Sequence, residues 1–342
     1  SATTDANILW EGNTMKLKTY LFAAAACVSL LPSVASAQTV LKLGHVWPQT
    51  EIHAKSAEMF AQDVEKATNG EVKVQVFGGS TLGSDRELVE GLKFGTADIW
   101  VGGAGVLSAA SDTAKIFTQH FMISNIDHFK KVYDGPIGQE ITDAIKKESG
   151  YQVISYWLRG PRWLTTKTEV KTPQDLAGKK IRVPDSPVFV KSWQALGAAP
   201  TPLNFGEVFT ALQQGVIDGQ ENPLSLILTS KFSEVVKYLA KTEHVYEPIA
   251  VVMSTQSFSK IPQKHRDAVL KAVNGRARDF AATEVSNGEQ SFLQALKDQG
   301  MTVVELNKAD FRNKVASVVE KDFASLKPLY EKIVNAGAGT SN

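Results

Sequence analysis

Three arginines and one polar cluster carry most of the chemistry that can be read from this chain. Arg159, Arg162 and Arg182 bracket a compact segment. Arg182 lies in KKIRVP, flanked by Ile181 and Val183 in what reads as an apolar strand. Arginine is seldom fully buried without a partner. Two roles are therefore open to Arg182: an ion pair with Asp218 or Glu221, or a bidentate clamp on an incoming carboxylate. Arg162 stands beside Trp163 in RGPRWLTT, which suits a pocket wall or a solvated turn equally. The stretch GVIDGQENP (Gly215 to Pro223) gathers Asp218, Gln220, Glu221 and Asn222 after a helical run. A polar surface loop would explain that cluster, and so would convergence on a small polar ligand in a cleft.

Other chemistries find less support. The sequence contains no G-x-S-x-G, no H-E-x-x-H and no G-x-x-x-x-G-K-[ST]. GGAGVLS (Gly102 to Ser108) follows a strand pattern but lacks the third glycine of a dinucleotide fingerprint. Its glycines suit a close approach of the backbone to a ligand or to another segment. The six histidines are scattered, with no i, i+4 pair, so neither a metal site nor a cofactor is expected.

The elements that must position these residues alternate in type. TVLKLGHVW, EVKVQVFGG and TADIWVGG read as strands, and the segments from His53 to Gly70 and Ser84 to Gly95 as helices. Ser84 or Asp85 is the N-cap and Gly95 the stop of the second helix. This β-α-β-α-β order calls for a largely parallel sheet covered by helices. A second copy of one unit follows. ELVEGLKFGTADI (Glu87 to Ile99) and EVFTALQQGVIDG (Glu207 to Gly219) share Glu, a helical Leu, a stopping Gly and an Asp in the next strand. YQVISYWLRG and KKIRVP read as further strands, and Pro187 to Leu196 as a helix. His244 to Phe258 reads as a strand returning to the first unit. Pro262 to Gly300 and Asp310 to Asn335 read as helical, with MTVVEL a late strand between them.

The ends carry an address. From Met15, Lys16 and Lys18 precede an apolar run from Tyr20 to Leu31, and Ala35-Ser36-Ala37 offers a cleavage site. The run is too short to span a bilayer. Residues 15–37 are therefore expected to be a removable export signal, with 1–14 an upstream extension and 337–342 a disordered tail. Cleavage before Cys27, the only cysteine, is the alternative. Removal of 37 of the 342 residues leaves 305, a length that favours two lobes. The net charge of the whole chain is +1, and such balance argues against a nucleic-acid partner.

The segment from Ile181 to Pro223 closely resembles the solute-binding proteins of tripartite ATP-independent periplasmic (TRAP) transporters. The motifs are R-V-P, G-A-x-P-T-P, E-V-[YF]-x-A-L-Q and D-G-Q-E-N-P. Weaker similarity extends over FGGSTLGSDRELVEGLKFGTADI and GPRWLTT. The resemblance implies an α/β, two-lobed periplasmic-binding-protein-like (type II) fold. Each lobe would be a mixed sheet flanked by helices, with a cleft and hinge between them. The lobes would comprise 38–159 with about 248–290, and 160–247 with about 291–336. It also implies that Arg182 makes the main salt bridge to a substrate carboxylate, that Arg162 assists, and that Asn222 hydrogen-bonds the same ligand region. Glu87, Asp85, His45, Trp47, Trp163, Glu221 and His244 are candidates for the remainder of the pocket. Gly103 stands where sialate-binding members carry an acid, which disfavours sialic acid.

The expected function is a periplasmic receptor for a small organic acid, a sugar acid or dicarboxylate, that serves TRAP membrane subunits without a cofactor and performs no catalysis. The rivals are an exported enzyme acting on acidic sugars through Glu207, Glu221 or Asp218, and a sensor module. A monomer is expected, although the C-terminal helices could pair in a dimer.

Overall fold

The computed structural model describes residues 37–339. The expected upstream extension, all but the last residue of the expected signal segment, and residues 340–342 lie outside the described residues. The strands are β1 (Thr39–Gly44), β2 (Val72–Phe77), β3 (Ile99–Gly103), β4 (Tyr151–Trp157), β5 (Arg162–Thr166), β6 (Lys180–Val183), β7 (Ala199–Pro202), β8 (Gly219–Pro223), β9 (Tyr238–Ala240), β10 (Ile249–Ser254) and β11 (Thr302–Val304). They form two mixed sheets, ordered β2-β1-β3-β10-β4 and β11-β9-β5-β8-β6-β7. In the first, β1 pairs in parallel with β2 and β3, while β10 runs antiparallel to β3 and β4. In the second, β6 pairs in parallel with β7 and β8, while β5 runs antiparallel to β8 and β9.

Helices α1 (Ile52–Ala67) and α2 (Asp85–Phe94) connect the first three strands, and α3 (Ile126–Tyr133) and α4 (Pro136–Ser149) lead into β4. Helices α5 (Pro187–Ala195), α6 (Val208–Gln214) and α7 (Leu224–Thr229) belong with the second sheet. After β10 come α8 (Thr255–Lys260), α9 (Gln263–Val273) and α10 (Arg276–Asp298). Helices α11 (Lys308–Val315), α12 (Val318–Asp322) and α13 (Lys327–Ala336) follow β11. Helix α10 packs against both α1 and α7. It runs unbroken through residue 290, where the sequence placed a lobe boundary.

The repeated unit is built the same way twice. Ser84 caps α2 through a capping box: its Oγ accepts from Glu87 N, and Glu87 Oε2 accepts from Ser84 N at 2.8 Å. Gly95 ends α2 at φ 76°, and Gly215 ends α6 at φ 76°, a left-handed turn that glycine adopts without Cβ strain. The aspartate three residues on then grips the neighbouring strand. Asp98 Oδ2 accepts from Lys42 N at 2.9 Å, and Asp218 Oδ2 accepts from Lys180 N at 2.8 Å.

Four expectations change. QENP is not a loop: β8 is an interior strand between β5 and β6, and every one of its residues is buried. RWLTT is likewise a fully buried strand, not a solvated turn. Within His244 to Phe258 only Ile249–Ser254 is strand, because Ser254 Oγ accepts from Ser257 N and starts α8. The helical stretch expected from Asp310 to Asn335 is divided into α11, α12 and α13 by a short non-α turn and bends.

Candidate functional site

The chain passes between the two sheets at residues 158–161, at 241–248 and along α10. The site lies where the first two crossings meet the end of β8. Successive side chains of a strand point to opposite faces, so β8 sends Gln220 and Asn222 one way and Glu221 the other. Gln220 Nε2 donates to Thr165 Oγ1, and Asn222 Nδ2 donates to Gln220 Oε1, both at 2.7 Å. These bonds satisfy buried amides that would otherwise be costly in an interior strand.

On the other face Glu221 meets Arg162 of β5. Arg162 Nε donates to Glu221 Oε2 at 2.5 Å and Nη2 to Oε1 at 2.7 Å, a fork-to-fork pair. Arg162 Nη2 also reaches the Glu221 carbonyl, and Nη1 donates to Glu247 Oε2 at 3.1 Å. Burial pushes the Glu221 carboxyl up, but Arg162 and His244 outweigh it and hold it at about 2. That carboxylate only accepts, so His244 carries its proton on Nε2, 2.8 Å from Glu221 Oε2, and its Nδ1 accepts from Thr242. Burial keeps the His244 ring below its ordinary pKa despite the pull of Glu221.

Glu247, on the second crossing, ties this network to Arg159 on the first. Arg159 Nη1 donates to Glu247 Oε2 at 2.9 Å, and Arg159 Nη2 to Asn222 Oδ1 at 3.3 Å. Gly105 N donates to Glu247 Oε1 at 2.9 Å. The Glu247 carboxylate packs so closely on the chain after β3 that a Cβ on Gly103 would come within 2.8 Å of it, and one on Gly105 within 2.9 Å. Glu247 thus brings a carboxylate to the wall at Gly103.

Arg182 faces the resulting cavity from β6. Its Nε donates to Leu203 O at 2.8 Å, and its guanidinium lies 5.9 Å from the Phe205 ring centre. Neither expected ion pair forms: Asp218 holds Lys180 N, and Glu221 is taken by Arg162 and His244. Among the described residues Arg182 has no ion pair with any carboxylate. Burial lowers its pKa to about 10, so it stays charged at neutral pH.

Trp47, Asp85, Arg159, Arg162, Arg182 and Asn222 are brought together around this cavity, along with Glu247 and Phe205. Its free volume is about 40 Å³, room for a water molecule or so. Asp85 accepts from Trp100 Nε1 at 2.9 Å, and burial pushes its carboxyl up to about 6 against the pull of that bond, Arg182 and Arg159.

Five candidates do not line the cavity. Glu87 is exposed and serves the α2 cap. Trp163 is buried in a second core with Val208, Leu212 and Leu239. His45 lies behind Trp47, stacked on it at 5.5 Å, with its Nδ1 accepting from Trp47 N. Glu221 and His244 form the layer behind Arg162. Sequence reasoning passed over Glu247 and Phe205. The signal for Glu247 was an acid within the apolar run HVYEPIAVV, which had been read as one strand.

Two helix-flanked mixed sheets with a charged cavity at their crossings define a two-lobed solute-binding protein. The chain matches the family described as bacterial extracellular solute-binding protein, family 7, over residues 43–326, and it belongs to that family. A solute-binding protein of Roseobacter denitrificans is 34% identical over 314 residues, covering 91% of this chain and 96% of its own. The crystal structure of that TRAP periplasmic solute-binding protein, with bound L-galactonate, aligns with a TM-score of 0.83 at 33% identity, covering 86% and 98% of the two chains. The sugar acid-binding protein of Advenella mimigardefordensis, in complex with galactonate, gives a TM-score of 0.84 at 30% identity over 89% and 99%. The 2,3-diketo-L-gulonate-binding periplasmic protein of Escherichia coli is 30% identical over 318 residues, 92% of this chain and 96% of its own.

Proposed function

We propose that this protein is a periplasmic receptor that captures a small organic acid, foremost a sugar acid, and delivers it to the membrane subunits of a TRAP transporter. The carrying observation is Arg182, a buried guanidinium facing a cavity with no carboxylate of its own. A ligand carboxylate would complete it by a bidentate salt bridge, strengthened by the low dielectric of a closed cleft. Asn222 and Arg159 stand beside it. Arg162 contributes mainly through Glu221 and Glu247, since most of its donors are already engaged. The relatives bound to galactonate support a hydroxylated acid.

Entry to this buried cavity would proceed by parting of the lobes. The proposed moving bodies are 38–159 with about 248–290 and 160–247 with about 291–336, hinged at the crossings, with the ligand favouring the closed form. Export would use residues 15–37. Catalysis on acidic sugars fits the site poorly: Glu221, held at about 2, cannot donate a proton at neutral pH, and Asp218 braces β6.

The test is a thermal-shift screen of refolded, ligand-stripped protein against sugar acids, dicarboxylates, keto acids and their neutral analogues. A ligand at 100 times its Kd adds ~2.7 kcal/mol of stability. The expected result is a large shift with one acid class, absent with its neutral analogue and abolished in Arg182→Ala. Near-normal affinity in Arg182→Ala refutes the clamp.

A further inference from the structure

We propose that Asp85 and Glu247 make the receptor selective for monocarboxylates carrying hydroxyl groups and exclude dicarboxylates of the same length. The inference rests on the receptor reading and narrows its ligand class. It follows from a count of charges around the cavity. Three guanidiniums approach it, those of Arg159, Arg162 and Arg182. Glu221 and Glu247 occupy Arg162, and Glu247 also occupies Arg159. Only Arg182 is left for a ligand, so the site has one place for one carboxylate.

The remaining charged groups on the lining are anions. Glu247 is fixed by Gly105 N, Arg159 and Arg162, and it packs against the chain after β3 with no room for a Cβ at Gly103 or Gly105. Asp85 is held by Trp100 Nε1. Carboxylate oxygens accept hydrogen bonds, so both groups suit ligand hydroxyls, which donate. A second ligand carboxylate would instead meet two fixed acceptors, Asp85 of its own sign and Glu247 already balanced by Arg159 and Arg162, with no cation to spare. Discrimination by a repulsive element of this kind is a general route to specificity.

Matched acids that differ only at the far carbon provide the test: galactonate against galactarate, and D-erythronate against meso-tartrate, titrated calorimetrically into the full protein. We expect the monoacid to be preferred at least about 100-fold. Asp85→Asn and Glu247→Gln should each shrink that preference about tenfold or more by tightening diacid binding, with a folded far-UV spectrum retained. Should Glu247→Gln fail to fold for want of an acceptor for Arg159, Asp85→Asn alone decides. Diacid bound within about threefold of its monoacid, or a preference unchanged in the folded variants, overturns the inference and leaves the receptor reading intact. Acid binding that survives Arg182→Ala, or binding of neither acid class, overturns both.

Discussion

In the first lobe α2 ends on Gly95, and Asp98 then fastens β3 to β1; in the second, α6 ends on Gly215, and Asp218 fastens β8 to β6. Each aspartate also donates its own N–H to the strand it grips, Asp98 to Lys42 O at 2.9 Å and Asp218 to Lys180 O at 2.8 Å. Past the aspartates the likeness stops. β3 reads IWVGG and ends in glycines that admit Glu247 from elsewhere. β8 reads GQENP and carries its own acid and amides into the interior. The two units share the frame and differ in strand content, one lobe offering space and the other polar groups.

The largest effect should come from what β8 has and β3 lacks. Glu221→Ala strands Arg162 as a partly unpaired buried cation, and loss of about 3–5 kcal/mol is expected in urea unfolding. A loss below about 1 kcal/mol would mean that Glu247 alone can satisfy Arg162.

The shared frame predicts matched losses. Asp98→Ala and Asp218→Ala each leave a strand N–H without its acceptor and should each cost about 1–3 kcal/mol. Asp98→Ala should be the worse, because Asp98 also pairs with Lys260 at 2.6 Å. Clearly unequal effects in the opposite order would break the equivalence of the two units. Gly95→Ala and Gly215→Ala force Cβ into the left-handed region and should each cost about 1 kcal/mol.

The smallest effect is a pH dependence in the first unit. The Asp85 carboxyl has its folded pKa raised to about 6, above the ordinary carboxylate value. Such a group favours folding when protonated and opposes it when ionised. Asp85→Asn should therefore be more stable than the parent above pH 6, with the gain fading as pH falls toward 4. A gain that instead grew on acidification would reverse the assigned sign.

Much of this was legible in the sequence because it is local. The N-cap at Ser84, the stopping glycines and the strand aspartates announce themselves by spacing over a few residues. Arg182 was legible as a choice between a structural ion pair and a ligand clamp, and the geometry removes the ion pair. What could not be read is the pairing across long separations. Arg162 reaches Glu221 over 59 positions, and Arg159 reaches Glu247 over 88. No local pattern separates a polar strand satisfied by distant partners from a polar loop, so QENP read as a loop. For the same reason Glu247 reads as part of a strand, and Glu87 as part of a pocket instead of a cap.

Helix α10 runs 23 residues without a break, braced at one end on α1 and at the other on α7. At 1.5 Å per residue that is a beam ~34 Å long, fastened to both of the bodies proposed to move. Parting them would have to flex it, and the elastic work stored on opening would be returned on closing. On that proposal α10 would act as a return spring, whose stiffness would set how often the empty cleft gapes.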